Sequence, residues 1–249
     1  MPWGYVVAVT RPSKSQINKC GELVRQVRYE GLVVSPAELE SAIRVITDFR
    51  AEHSYPLLKV RLGLSSMIRT ERCDPVVSQR LKRVPRIVRK PHRTIGSSSG
   101  RTQLARLEDI GGVRAVLQDR TELDRIRRRI ERNWRDEFKR TRDCIAVPKE
   151  VGYRAVHYVV VRDRRAIEVQ LRTRGQQQWA DAAESADARL SGVGVNLKDG
   201  EGPAEMIEYF AAAGELIFLR EYGLEIPSSV HDRFRAARRA VVEAGYYNA

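Results

Sequence analysis

The chain has 249 residues, enough to bury a proper core, and we expect one domain with helical additions at both ends. Its 45 basic and 32 acidic residues give a net charge of +13 and a pI of about 10.0, which favours either a polyanionic partner or a merely soluble surface. No apolar run approaches the roughly 20 residues that span a bilayer, and the three cysteines lack the spacing of a metal site. We therefore expect no membrane span, reduced cysteines and a cytoplasmic location.

Helical signals dominate the N-terminal part of the chain. The spacing of apolar residues predicts an amphipathic helix over residues 13–28. Ser35 as cap, with Pro36 in the first turn, predicts the start of a second helix, which should end before Pro56. A third helix is predicted over residues 57–68. None of these segments carries recognisable chemistry.

Positive charge is dense between Asp74 and Leu107. A strand is predicted over residues 76–82, Pro85 can open a helix, and the serine- and glycine-rich residues 92–100 predict a mobile loop. The basic residues of this stretch are Arg80, Lys82, Arg83, Arg86, Arg89, Lys90, Arg93, Arg101 and Arg106. They indicate either a solvated basic segment or a cradle for phosphates, which guanidinium groups bind bidentately.

A strand over residues 108–116 opens with the carboxylate of Asp109 and a glycine pair, which lets a ligand or another backbone approach closely. A helix is then predicted from Thr121 to about Trp134. Its arginine-rich face and the residues after it form a second basic stretch, which is either solvated or able to follow a nucleic-acid backbone. The residues of this stretch are Arg125, Arg128, Arg129, Arg132, Arg135, Lys139, Arg140 and Arg142.

Two strands further along the chain predict a hairpin. Residues 154–161 are rich in β-branched and aromatic residues, residues 167–172 alternate strictly between apolar and polar, and a turn is predicted at Asp163–Arg165. An ordinary amphipathic hairpin is one interpretation. The other is a site, because the hairpin would bring together Tyr153, His157, Glu168, Gln170 and Arg172.

Asp109 and Glu168 would lie on neighbouring strand ends, beside several cationic side chains. Mg²⁺ typically takes one or two protein carboxylates and leaves other positions to phosphate oxygens and water. Cations also neutralise the charge that phosphoryl transfer spreads over oxygen atoms. This pattern therefore favours a magnesium ion that grips a polyphosphate.

Three motifs, DIGGVRAV at Asp109–Val116, GYRAVH at Gly152–His157 and EVQLRT at Glu168–Thr173, carry a resemblance. In order and spacing they resemble the synthetase domain of the RelA/SpoT family, over about Arg80–Glu184. The resemblance implies an α+β fold with a mixed, mostly antiparallel sheet of about five strands, similar to nucleotidyltransferases, with flanking N- and C-terminal helices. We expect an N-terminal helical region (1–72), a synthetase core (73–190) and a C-terminal helical extension (191–249), whose helices are predicted over about residues 204–222 and 228–244.

The family moves pyrophosphate from ATP to the 3′-hydroxyl of an acceptor and releases AMP, so the resemblance also implies roles. Asp109 and Glu168 would hold Mg²⁺, and Glu168 could also take the proton of the hydroxyl. Gln170 and Arg172 would support Glu168 and the acceptor-binding residues through hydrogen bonds. ATP would be bound by Arg80, Lys82 and Lys90. Arg86 stands where the family usually has serine. The acceptor would be bound by Lys149, Tyr153 (stacked on its base), Arg154 and His157.

The acceptor is the harder choice. Typical members of the family modify GDP or GTP and make the alarmone (p)ppGpp, whereas a toxic branch of small members modifies the 3′-terminal adenosine of tRNA. The charge of +13 favours tRNA modestly. An inactive RNA-binding relative is a third interpretation, and a cognate antitoxin is implied only by the resemblance. No oligomeric state is indicated.

Overall fold

A computed structural model of the protein describes residues 11–93, 103–190 and 195–246, with the side chains of residues 90–93 left out. The helices are α1 (Lys14–Tyr29), α2 (Pro36–Ala51), α3 (Ser54–Thr70), α4 (Val84–Arg93), α5 (Arg120–Asn133), α6 (Arg174–Arg189), α7 (Ala204–Glu221) and α8 (Ser228–Glu243). The strands are β1 (Val76–Leu81), β2 (Gly111–Leu117), β3 (Phe138–Asp143), β4 (Val156–Arg162) and β5 (Arg165–Thr173). Most of the loop predicted at residues 92–100 lies outside the described residues.

The five strands form one mixed sheet in the order β1-β2-β5-β4-β3, which confirms the predicted α+β fold. The predicted hairpin is β4–β5, and its two turn residues, Asp163 and Arg164, have φ values of 46° and 64°. Positive φ at both central residues is the geometry of a type I′ turn, whose twist matches that of the flanking strands. β3 pairs antiparallel with β4, with an irregularity between Phe138 and Arg140.

The chain divides into two compact units. The first contains the described residues up to Val60 together with Gln79–Gly112 and Val161–Glu168, and the second contains Arg61–Ser78, Val113–Val160 and the chain from Val169 onward. The domain limits predicted at residues 72 and 190 stay a prediction.

In the first unit, α1 and α2 pack around a small apolar core. The side-chain oxygen of Ser35 accepts from the backbone N–H of Glu38 at 3.2 Å, so the predicted cap of α2 is confirmed. Gly111 lies so close to the neighbouring strand that a Cβ there would be 2.8 Å from Ile167 Cδ1. The buried core residues are Ile17, Val24, Ala42, Ile46, Phe49, Ile87, Val88, Leu104, Leu107 and Ile110.

In the second unit, the core lies among α6, α7 and α8. Trp179 is central to it, because its indole N–H donates to Phe210 O at 2.8 Å and its ring meets Phe210 edge-on. Gly152 has a φ of 83°, and a Cβ there would be 2.8 Å from Phe210 O, so only glycine satisfies both the turn and the close approach to α7. The buried core residues are Cys144, Val151, Tyr153, Ala155, Trp179, Ala180, Ala183, Leu197, Met206, Phe210 and Val241.

Several boundaries differ from the sequence predictions. The cap of α5 is Asp119, whose side chain accepts from Glu122 N at 2.9 Å, and the helix starts at Arg120 instead of Thr121. α3 begins at Ser54 and takes Pro56 into its first turn, where a proline costs no hydrogen bond. β3 and α6 were not predicted.

Among the described residues, no helix is both long and apolar enough to cross a membrane.

Candidate active site

The residues predicted to bind ATP, the pyrophosphate donor, lie in the first unit, where β1 ends and β2 begins; we call this region the donor side. Lys82 Nζ donates to Asp109 Oδ2 at 2.5 Å, and both side chains are about four-fifths buried, at 20% and 24% exposure. The Lys82 backbone is held from two sides, because its N–H donates to Ile110 O at 2.7 Å and its carbonyl accepts from Arg50 Nε at 2.8 Å. An ammonium fixed in this way neutralises one carboxylate oxygen and presents positive charge beside it.

Glu168 lies on β5 next to the glycine pair of β2. A Cβ on Gly112 would lie 3.9 Å from Glu168 Oε2, at ordinary van der Waals distance, so the glycine places no side chain beside this carboxylate. The described residues contain no group of three or more potential metal ligands. Two carboxylates from neighbouring strands nevertheless fit Mg²⁺, because that ion completes its shell with phosphate oxygens and water.

The remaining donor-side residues frame the same region. Arg80 is exposed on β1, and Arg86 is exposed on α4. Lys90 belongs to α4, but its side chain lies outside the described residues.

The predicted acceptor side lies in the second unit and is built around the hydroxyl of Tyr153. This oxygen accepts from Gln170 Nε2 and from Arg172 Nη2, each at 2.9 Å, and lies 2.8 Å from His157 Nε2. With two donors already directed at it, the hydroxyl gives its own proton to Nε2. Arg114 extends the group, because its Nε donates to Gln170 Oε1 at 2.7 Å. We call these five residues the Tyr153 cluster.

Arg172 is the largest fully buried side chain of the described structure, with only 2% of its surface exposed. Besides Tyr153 it donates to Gln177 Oε1 at 3.0 Å, and its Nε has no hydrogen-bond partner. Tyr153 is 6% exposed and meets Trp179 edge-on, so most of its ring is covered. The stacking of Tyr153 on an acceptor base stays a prediction, whereas its hydroxyl has an evident structural task.

The other two acceptor residues have different surroundings. Lys149 Nζ lies 5.3 Å from the centroid of the Tyr153 ring, which joins it to the Tyr153 cluster. The guanidinium of Arg154 instead stacks on Phe218 of α7 at 3.9 Å and donates to Ile145 O at 2.9 Å. Burial lowers the pKa of Arg154 from its usual value. The structure therefore does not bring Arg154 into the Tyr153 cluster.

Two further charged residues interact electrostatically with the arginines of the Tyr153 cluster: Glu184 of α6 and Lys198 of the turn after it. Burial lowers the pKa of Lys198, and the nearby charges of Arg172 and Arg114 lower it further, while its ion pair with Glu184 opposes the shift. Burial alone would raise the pKa of Glu184, but Lys198 and the two arginines hold it below its usual value. Sequence reasoning missed Arg114, Glu184 and Lys198; only Arg114 carried a signal, inside the DIGGVRAV motif.

The second basic stretch divides into two parts. Arg125, Arg129 and Arg132 of α5 converge on Glu71, through its carbonyl oxygen at 3.0 Å and its carboxylate at 3.5 and 4.0 Å. The Glu71 carboxylate contacts two of these three guanidinium groups and neutralises part of this face, which favours the solvated interpretation over binding of a nucleic-acid backbone.

The other part of that stretch is the edge strand β3, with exposed Lys139, Arg140 and Arg142. Arg142 stands directly opposite His157 on β4, and Arg140 stands opposite Val159. Directly opposed residues of an antiparallel pair share a face. Both arginines are therefore on the face of the sheet that carries His157.

Residues 79–190 match the family model described as a region found in RelA / SpoT proteins. The fold is similar to small alarmone synthetase 2 from Bacillus subtilis, with a TM-score of 0.55 and 18% identity over 71% of this chain and 94% of that one. It is also similar to small alarmone synthetase 1 from Bacillus subtilis bound to its product pppGpp, with a TM-score of 0.56 and 20% identity over 71% and 93% of the two chains.

A third similar structure is a GTP pyrophosphokinase family protein from Streptococcus pneumoniae, with a TM-score of 0.52 and 19% identity over 77% and 95% of the two chains. At such identities these structures establish the fold. No match is found among curated proteins. The chain therefore carries the RelA/SpoT region on a fold shared with small alarmone synthetases. The match to this region supports an enzyme of the RelA/SpoT pyrophosphokinase type.

Proposed function

We propose that this enzyme transfers pyrophosphate from ATP to the 3′-hydroxyl of the terminal adenosine of tRNA. The observation that carries the choice of acceptor is the edge strand β3, which presents Arg140 and Arg142 on the face of His157. A mononucleotide offers phosphates at one place, whereas an RNA end continues past the reacting nucleotide and can use charge along a strand. Modification of this hydroxyl would block aminoacylation, so the enzyme would inhibit translation and its host would need a cognate antitoxin.

On the donor side, Arg80, Lys82 and Lys90 would bind the ATP phosphates. Lys82, which forms an ion pair with Asp109, would also donate a hydrogen bond to a phosphate oxygen. Asp109 and Glu168 would hold Mg²⁺, which when bound neutralises phosphate charge and aligns the donor. Glu168, beside Gly112, would accept the proton of the attacking hydroxyl.

On the acceptor side, Lys149 and His157 would hold phosphate or stabilise developing charge. Tyr153, whose ring is mostly covered, would have to expose one face to stack on the terminal base. Gln170 and Arg172 would hold Tyr153 in place through the hydrogen bonds at its hydroxyl. The 3′-hydroxyl oxygen would form a bond to the β-phosphorus of ATP as the bond from that phosphorus to the α,β-bridging oxygen breaks. AMP would leave with that oxygen, and the proton would go to Glu168.

A guanine nucleotide is the second candidate acceptor. It is favoured by the fold, because one of the similar structures is a small alarmone synthetase bound to its product pppGpp. In that case the exposed arginines of β3 would bind the 5′-phosphates of GDP or GTP, and the product would be (p)ppGpp.

The test offers deacylated tRNA, GDP and GTP in parallel to the purified protein with Mg²⁺ and γ-labelled ATP. Label on tRNA that disappears when the terminal adenosine is removed is the expected result. Label on guanine nucleotide alone would overturn tRNA as the acceptor, and label on none of the three would favour an inactive RNA-binding relative. Arg142→Ala should weaken labelling of tRNA and reduce its salt dependence, by about one unit of the log–log slope. Arg235→Ala, an exposed arginine of α8 paired with Asp232, is the matched control and should change neither.

A further inference from the structure

The turn between α6 and α7 lies outside the matched RelA/SpoT region, yet it contacts a residue of the predicted acceptor set. Asn196 and Glu201 pair as an isolated β-bridge, the residues between them form one 3-10 turn, and Gly200 closes it with a φ of 77°. We call residues 196–201 the clamp turn.

The clamp turn is fastened to α6 by one apolar and two polar contacts. The side chain of Leu197 is fully buried in the core of the second unit, and its backbone N–H donates to Asp187 Oδ1 at 2.9 Å. Lys198 forms an ion pair with Glu184. Because α6 and the core hold the turn, its carbonyl and carboxylate oxygens have fixed positions.

Two of these oxygens bind the ammonium of Lys149. Its Nζ donates to Asp199 Oδ1 at 2.8 Å and to Lys198 O at 3.0 Å. Asp199 is itself oriented by Asn196 Nδ2, 2.5 Å from its second oxygen. An ammonium has three donors, so two are directed at the clamp turn and one remains for a phosphate oxygen.

We propose that the clamp turn positions Lys149 for the acceptor, with Asp199 as the positioning residue; this rests on the proposed function of the site. A lysine has many rotamers, and restricting them before the acceptor arrives removes an entropic cost of binding. The ammonium is held on the side of Tyr153, where the acceptor is predicted to lie. The C-terminal extension thereby supplies part of the acceptor site, although it lies outside the family region.

The test is the KM for each acceptor, deacylated tRNA or GDP, measured beside the KM for ATP. Asp199→Ala should raise the KM for the acceptor about three- to tenfold, the range of a partly exposed charge-assisted hydrogen bond, with the KM for ATP unchanged. Asp199→Asn keeps an oxygen toward Lys149 and should restore most of the loss. In a Lys149→Met background, Asp199→Ala should add nothing, because the group that it positions is gone.

The matched control is Asp232→Ala, which removes an exposed aspartate that also pairs with one basic residue, and it should leave both KM values unchanged. An unchanged acceptor KM in Asp199→Ala would overturn the inference. A lowered KM would also overturn it, since the carboxylate would then compete with the acceptor for Lys149. A wild-type protein that labels no acceptor would refute the proposed function itself, so the two failures are distinguishable.

Discussion

Replacement of Tyr153 by phenylalanine should destabilise the protein and weaken acceptor binding together. The change keeps the ring and its contact with Trp179 but removes an oxygen that receives two hydrogen bonds. One of those donors belongs to Arg172, which is 2% exposed and has no access to water as a substitute partner. Its remaining hydrogen bond is the one to Gln177.

A buried donor left without a partner costs about 1–3 kcal/mol, with the upper end for a charged group. With Arg172 and Gln170 both affected, we expect a loss of about 2–4 kcal/mol in the free energy of unfolding. For a chain of this length, each kcal/mol lowers Tm by about 2–4 °C, so the expected shift is about 4–16 °C. His157 also loses the hydroxyl proton and should become less ordered.

The measurements are thermal unfolding and steady-state kinetics, with Tyr55→Phe as the matched control. Tyr55 is 64% exposed, and removal of its hydroxyl should change stability by no more than about 0.5 kcal/mol. We expect the KM for the acceptor to rise in Tyr153→Phe while the KM for ATP stays the same. A phenylalanine variant as stable and as active as the wild type would refute the structural role of the hydroxyl and favour a residue that acts through its ring alone.

Three further predictions test other parts of the chain. Glu168→Gln should lower turnover by about 100-fold or more, as expected for a lost general base, with an unchanged Tm; retained turnover would exclude that role. Arg164→Gly should stabilise the type I′ turn by about 0.5–1 kcal/mol in chemical denaturation, because glycine tolerates the positive φ, and a loss of stability would contradict this. Burial lowers the pKa of His53, so the unfolded protein binds a proton at this residue more readily than the folded protein does, and stability should fall as the pH drops below about 6.5. His53→Asn should remove this pH dependence of stability. An equal pH dependence in both proteins would show that another group causes it.

Local signals were sufficient for much of the fold. Ser35 and Pro36 predicted the start of α2, and the strict alternation of β5 predicted a strand with one apolar face. Both signals depend on residues that are close in sequence. β3 was not predicted, because its charged sequence is typical of solvated surface. It forms a strand by pairing with β4. α6 does have a local signal, the capping box of Thr173 and Gln176.

The site was predictable where one strand or one turn places its residues. Tyr153 and His157 lie within hydrogen-bond distance, as the hairpin implied. Arg154, between them in sequence, was expected to join them but packs on Phe218 instead. No local pattern could have predicted this, because the partner comes from α7, more than 60 residues further along the chain.

The C-terminal extension carries no recognisable motif, and its sequence indicates no chemical role. In the structure, a Cβ on Gly214 of α7 would lie 2.9 Å from Gly152 Cα, so the two backbones are in contact without any side chain between them. This contact fixes the loop that begins at Lys149, and the clamp turn fixes the ammonium of the same residue. The conformation of the GYRAVH motif therefore depends on residues beyond the family region, and a truncation after residue 190 would remove both supports of the acceptor loop while leaving every family motif intact.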